Sequence, residues 1–169
     1  MRFLRMVLLI VMTVLIQVAV FPYLRVAGVV PDLGLVVALA VGYYEGPESG
    51  AIVGFAIGFG YDLFLETPLG LSALSYALVG YGVGVIQAGL LRSSRVLPVL
   101  LGFIGGLAGG LIFIAVGVLA GVDAVKGMHG IRVITYAAIY DAILAPFVFF
   151  LVARLVSRDD HVRSAWINR

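Results

Sequence analysis

The sequence contains no cysteine, only two histidines and few charged residues. The absence of cysteine from all 169 positions excludes disulfides, thiol catalysis and iron–sulfur clusters. His129 and His161 lie far apart and outside the apolar runs, so they form no metal-ligand pattern. Charged residues make up only 12% of the chain, whereas soluble domains carry about 25%. The chain therefore has too little polar surface to cover a globule in water.

Apolar residues dominate the composition. They account for 63% of the chain, and the mean hydropathy is +1.17. Several uncharged windows exceed the ~18 residues that mark a membrane-spanning helix. We therefore expect an all-α integral membrane protein. Its transmembrane helix bundle is predicted to occupy residues 1–156, and a short charged cytoplasmic tail is predicted to occupy residues 157–169.

The order of apolar runs and polar breaks predicts about six transmembrane helices. The first is expected to be retained, because its apolar core is longer than that of a cleaved signal peptide and no A-x-A-like cleavage site follows it cleanly. The second and third are short, so they are either full spans or a shallow pair packed inside the bundle. The six predicted segments are Met1–Leu24, Leu33–Tyr44, Gly50–Leu65, Leu69–Leu91, Val96–Val122 and Val133–Val156.

The positions of lysine and arginine predict the orientation of these helices. With the amino terminus inside, eight of the 11 basic residues lie on the cytoplasmic side. The three on the opposite side are Arg25, Lys126 and Arg132. The positive-inside rule therefore predicts that both termini are cytoplasmic.

Glycines four residues apart recur in three of the predicted helices. Such a helix has a groove without side chains, which lets a neighbouring helix approach backbone to backbone. We expect these glycines to form helix-packing faces, within the bundle or with a partner, and lining a substrate path is the alternative. The set is Gly50, Gly54, Gly58, Gly80, Gly84, Gly102, Gly106 and Gly110.

Two acids lie near the outer ends of the second and third helices. Asp32 follows Pro31. Asp62 follows Gly58 at the same four-residue spacing that separates Gly50, Gly54 and Gly58, which we call the glycine ladder. Together with Pro68 and Gly70, these acids are predicted to form an outward-facing polar pocket. Structural roles are the alternative, because Asp32 is suited to capping a helix and Asp62 to bonding the backbone freed before Pro68.

Asp141 lies inside the last predicted span and is expected to be a buried polar residue together with Tyr136 and Tyr140. An acid at such depth costs about 2.5–3.5 kcal/mol on insertion scales, so it is expected to face the bundle interior or a cavity. A hydrogen bond to a tyrosine of another helix is the simpler interpretation. No lysine or arginine lies in the interior of a span as a counter-ion, which disfavours a charge-coupled carrier. No catalytic residue, metal site or cofactor is predicted.

Several short motifs resemble one known family. They are PDL at 31–33, YDLF at 61–64 at the end of the glycine-rich helix, TPLGLSAL at 67–74 and a Gly-Tyr pair at 80–81. In this order, on a short chain of six predicted helices, they resemble the rod shape-determining protein MreD family. The residues that fall on the family's pattern are Pro31, Asp32, Gly54, Gly58, Asp62, Pro68 and Gly70.

The resemblance implies a non-enzymatic scaffold subunit in the bacterial inner membrane. Its implied partners are MreC, the MreB cytoskeleton, the glycosyltransferase RodA and a class B penicillin-binding protein, with no nucleic acid. The implied fold is similar to that of the substrate-binding subunits of energy-coupling-factor vitamin transporters. Such a transporter subunit is the alternative function, but it would carry an A-x-x-x-A face on the first helix. No such face occurs between Met6 and Leu24.

Overall fold

The computed structural model describes residues 2–25, 28–64, 68–87, 96–119, 121 and 128–167. Within these ranges the chain is all-α, with six α-helices and a 3-10 helix at Phe21–Leu24. The all-α prediction is therefore confirmed. The α-helices are α1 (Arg2–Ala19), α2 (Leu33–Glu45), α3 (Pro47–Asp62), α4 (Leu71–Ile86), α5 (Leu97–Leu119) and α6 (Met128–Ile167).

Helix α2 lies at the centre of the bundle. It contacts each of the other five α-helices, and every residue from Gly34 to Tyr43 is buried. A helix that is apolar on all sides is stable only when other elements enclose it. Its 13 residues reach only about 20 Å, less than the ~30 Å hydrocarbon thickness of a bilayer. Of the two interpretations left open for this segment, the structure favours a short helix packed inside the bundle.

Two helices are long and apolar enough to cross a membrane. They are α5 and the Arg132–Val156 part of α6. Only 22% of the apolar window of α5 is buried, so much of its apolar surface is left uncovered by the rest of the bundle. The apolar helices Phe3–Ala19, Leu33–Glu45 and Leu71–Ile86 are shorter. Six spans and cytoplasmic termini remain predictions.

The predicted carboxyl-terminal ends of the first and third helices are wrong. Helix α1 ends at Ala19 rather than Leu24, because the chain tightens into a 3-10 turn at Pro22, which has no backbone N–H to continue the helix. Helix α3 ends at Asp62 rather than Leu65. Hydropathy indicates which residues are apolar enough to lie in lipid. It does not indicate where the backbone hydrogen bonds of a helix end, so both predicted ends lie too late in the chain.

The last helix is longer in both directions than the predicted span. Helix α6 begins at Met128, before Val133, and continues through Val156 to Ile167. The helical backbone of α6 therefore crosses the predicted boundary between bundle and tail without a break. The polar break between the last two predicted segments, residues 123–132, is helical from Met128 onward, and its residues 123–127 lie outside the described ranges.

The glycine ladder of α3 brings three helices into backbone contact. A Cβ added at Gly50 would lie 2.6 Å from the carbonyl oxygen of Gly80 on α4 and 2.6 Å from the Cα of Gly42 on α2. A Cβ added at Gly54 would lie 2.6 Å from the carbonyl oxygen of Tyr76. Side chains at these positions would therefore force α2, α3 and α4 apart.

The other glycines of the predicted set have similar surroundings. Gly58 lies against the backbone of Ala73, and Gly84 against the backbone of Pro47. The three glycines of α5 lie against α6. A Cβ added at Gly102 would lie 2.7 Å from the Cβ of Ala145, and one added at Gly106 would lie 2.9 Å from the Cα of Ala138. A Cβ added at Gly110 would lie 2.7 Å from the Cγ2 of Ile134. Contacts within the chain thus occupy all eight positions, and a partner helix would need another surface.

Candidate functional site

Asp32, at the start of α2, forms hydrogen bonds with residues of α4 and α6. The Asp32 carboxylate accepts a hydrogen bond from the Leu35 N–H at 3.1 Å, which caps α2. Both carboxylate oxygens also lie 2.7 Å from the Tyr76 hydroxyl of α4, which donates to this group. The backbone N–H of Asp32 donates to Asp141 Oδ1 of α6 at 2.8 Å. Asp32 is therefore both a helix cap and a junction between helices.

Asp141 is buried, yet only one of its carboxylate oxygens has a hydrogen-bond partner among the described residues. The residue is 1% exposed. Its Oδ1 accepts the bond from Asp32, whereas Oδ2 has no hydrogen-bond partner among the described residues. A Cβ at Gly106 would lie 2.9 Å from this Oδ2, so the missing side chain at Gly106 makes room for the carboxylate. The expected bond from Asp141 to a tyrosine is replaced by the bond to a backbone N–H.

Gln17 of α1 completes the support of this junction. Its Oε1 accepts from the Leu33 N–H at 2.9 Å, and its Nε2 donates to the Pro31 carbonyl at 3.1 Å. Neither Gln17 nor Tyr76 was expected at the site from the sequence. A lone amide in an otherwise apolar helix is a usable signal for Gln17, because polar groups inside a membrane segment face the bundle interior.

A cavity of about 370 Å³ opens beside Asp32 and Asp141. It lies between α2, α4, α5 and α6, with Tyr61 of α3 also in its wall, and this wall is mostly apolar. Small-molecule pockets occupy about 300–1,000 Å³, so the space is large enough for a compact ligand. The polar residues that line it are Asp32, Tyr61, Ser72, Ser75, Tyr76 and Asp141.

Asp62 has a different role from the one expected. It is 1% exposed, and its carboxylate accepts hydrogen bonds from the backbone N–H groups of Gly70 (2.9 Å), Ser72 (3.1 Å) and Ala73 (3.3 Å). These groups lie at the amino terminus of α4, where helical N–H groups have no partner within the helix. Asp62 therefore satisfies the start of α4. Its role is structural, but the backbone groups that it bonds follow Pro68, whereas the structural alternative drawn from the sequence places them before Pro68.

The predicted outward pocket must be corrected accordingly. Asp32 lines the cavity, but Asp62, Pro68 and Gly70 are not among its lining residues. Gly70 instead holds a positive φ of 97° directly before α4, a conformation that favours glycine. The residue that joins Asp32 at the cavity is Asp141, which lies 109 positions away in the chain.

Two tyrosines expected to be buried beside Asp141 are not. Tyr136 is 40% exposed, and Tyr140 is only half-buried. The buried face of α6 contains Ala138, Asp141 and Ala145. Because each residue of a helix advances by about 100°, Tyr136 points well away from that face.

Removing the Tyr76 hydroxyl tests the junction. We expect Tyr76→Phe to lower the free energy of unfolding by about 1–3 kcal/mol, because the buried Asp32 carboxyl group loses the hydroxyl that donates to it. Tyr81→Phe is the matched control, since Tyr81 lies on the same helix and is 50% exposed. Unfolding of both variants by denaturant in mixed micelles measures the difference, and equal stabilities would contradict the assigned bond.

The chemistry of the site is that of a hydrogen-bond acceptor. No group of three or more His, Cys, Asp or Glu side chains that could hold a metal ion occurs in the described part of the chain. What remains is a pair of carboxyl groups at the edge of an apolar cavity, and one buried oxygen of Asp141 has no hydrogen-bond partner among the described residues.

The fold and site together define an all-α bundle with helices long and apolar enough to cross a membrane, built around a short buried helix. The chain belongs to the MreD family, because the family model described as rod shape-determining protein MreD matches residues 1–158. This match confirms the resemblance found in the sequence motifs and implies a role in determining rod shape. Comparisons with curated proteins and with solved structures gave no match.

Proposed function

We propose that this chain is a non-enzymatic, multi-pass scaffold subunit of the bacterial cytoplasmic membrane that maintains rod shape. In this role it joins MreC, and through MreC the MreB filament, to the peptidoglycan synthases RodA and a class B penicillin-binding protein. The family match over residues 1–158 carries the proposal. It also favours this function over that of a vitamin-transporter subunit.

The use of the three intramembrane acids supports a scaffold rather than an enzyme. Asp62 satisfies the start of α4, and Asp32 joins the start of α2 to α4. Asp141 holds the same junction from α6 through its Oδ1. These hydrogen bonds fix the positions of the helices relative to one another. A scaffold subunit requires such a rigid arrangement, because it must hold its partners in a fixed geometry.

The surface for a partner helix lies away from the glycine ladders, because contacts within the chain fill those positions. Several outward faces carry exposed apolar side chains that a single membrane helix of MreC could cover. Representative positions are Leu8 on α1 (60% exposed), Phe55 on α3 (51%), Tyr81 on α4 (50%) and Leu111 on α5 (61%).

Site-specific photo-crosslinking tests the proposed contact with MreC. A photoreactive phenylalanine analogue placed at each of these four positions, one per variant, should crosslink MreC from one face and give little product from the others. Membranes kept in the dark and membranes without MreC are the controls. Absence of an MreC adduct from all four faces, with the variants present at normal levels, would count against the proposed link.

A further inference from the structure

One buried carboxylate oxygen, Asp141 Oδ2, has no hydrogen-bond partner among the described residues. Asp141 itself is 1% exposed. Buried polar atoms are paired in nearly all cases, so each exception calls for an explanation such as a ligand or an ion. The rod-shape scaffold proposed above leaves this oxygen unused.

The cavity beside Asp141 has acceptors but few available donors. Asp32 and Asp141 both line it, and the described lining includes no lysine, arginine or histidine. The Tyr76 hydroxyl already donates to Asp32, and the Ser75 hydroxyl donates to the Leu71 carbonyl at 2.9 Å. The hydroxyls of Tyr61 and Ser72 also line the cavity, but neither donates to Asp141 Oδ2, which has no partner among the described residues. An occupant of the cavity can supply the missing donor.

The wall of the cavity narrows the chemistry of that occupant. Magnesium and calcium ions require about six or more oxygen ligands, whereas most of this wall is apolar. A primary ammonium group fits better, because it is compact, carries three donors and needs no complete shell of oxygens. An apolar body attached to the ammonium would fill the remaining volume.

We infer that the cavity between α2, α4, α5 and α6 binds a primary ammonium group carrying a small apolar body, with Asp141 Oδ2 as its principal acceptor. A free amine offers this chemistry in full, whereas the headgroup of an aminophospholipid offers the primary ammonium group joined to a phosphate instead of an apolar body. The inference goes beyond the scaffold function, and either can fail without the other.

Calorimetric titration of the full chain in phosphatidylcholine nanodiscs tests the inference. The probes are hexylamine and 2-phenylethylamine, and the neutral isostere of the second, 2-phenylethanol, is the control ligand. We expect saturable one-to-one binding of at least one amine and at least tenfold weaker binding of its alcohol. Asp141→Asn should weaken amine binding at least tenfold. Glu48→Gln removes the same charge from an exposed position and should leave binding unchanged.

A second variant keeps Asp141 intact and fills the space instead. Ala137 lines the cavity, so the ring of Ala137→Phe should occupy it and abolish binding while thermal unfolding shows that the chain remains folded. Nanodiscs containing phosphatidylethanolamine separate the two sources. Competition with the amine assigns the site to the lipid headgroup, and its absence assigns the site to a free amine. Failure of both amines to saturate, or equal affinity in the wild type and Asp141→Asn, would overturn the inference.

Discussion

Gly54→Leu prevents the bundle from closing, whereas Gly82→Leu leaves it folded. A Cβ at Gly54 alone would lie 2.6 Å from the backbone oxygen of Tyr76, so α3 and α4 must separate to admit a side chain. Overpacking costs about 1–3 kcal/mol or more. We expect about that loss for Gly54→Ala and loss of the folded state for Gly54→Leu.

Gly82 is the matched control, because it lies within α4 and a Cβ there meets nothing within 4 Å. Alanine is the better helix former, so Gly82→Ala should be neutral or should raise the free energy of unfolding by up to about 1 kcal/mol. Denaturant midpoints in mixed micelles and yields of monodisperse protein measure both pairs. Equal effects at Gly54 and Gly82 would show that the backbone contact between α3 and α4 does not hold the bundle together.

Asp62→Ala lowers the free energy of unfolding by about 3 kcal/mol or more, because a buried donor without a partner costs about 1–3 kcal/mol. The change removes the acceptor for the N–H groups of Gly70, Ser72 and Ala73. Water cannot replace it easily, since Asp62 is 1% exposed.

Two controls separate this effect from a general loss of charge. Asp62→Asn keeps one acceptor oxygen and should lie between the wild type and Asp62→Ala in stability. Glu48→Ala removes an exposed acid from the first turn of α3 and should cost less than about 1 kcal/mol. An Asp62→Ala variant as stable as Glu48→Ala would rule out Asp62 as the cap of α4.

Local features of the fold were predictable from residues close together in the chain. The spacing of Gly50, Gly54 and Gly58 indicated close helix packing, and Asp32 after Pro31 indicated a helix cap. Both signals depend on one turn of helix or on a fixed repeat. Their physical consequences therefore do not depend on the arrangement of the rest of the chain.

Features that depend on distant contacts were not predictable. Asp32 and Asp141 are 109 positions apart, and nothing in the local sequence of either residue specifies the other. The two acids at the start of α2 and the end of α3 instead suggested a pocket containing Asp62, whose carboxylate accepts hydrogen bonds from the start of α4. Tyr136 was misplaced because proximity in sequence to Asp141 does not give proximity on the helix surface.

The measurement that most directly tests the proposed function is the shape of cells in which this chain is depleted. Loss of the chain should turn rods into round cells, and wild type or Gly82→Leu supplied in its place should restore rods. Gly54→Leu should fail to restore them, because its bundle does not close. Cells that keep their rod shape and width without the chain would contradict the function proposed here.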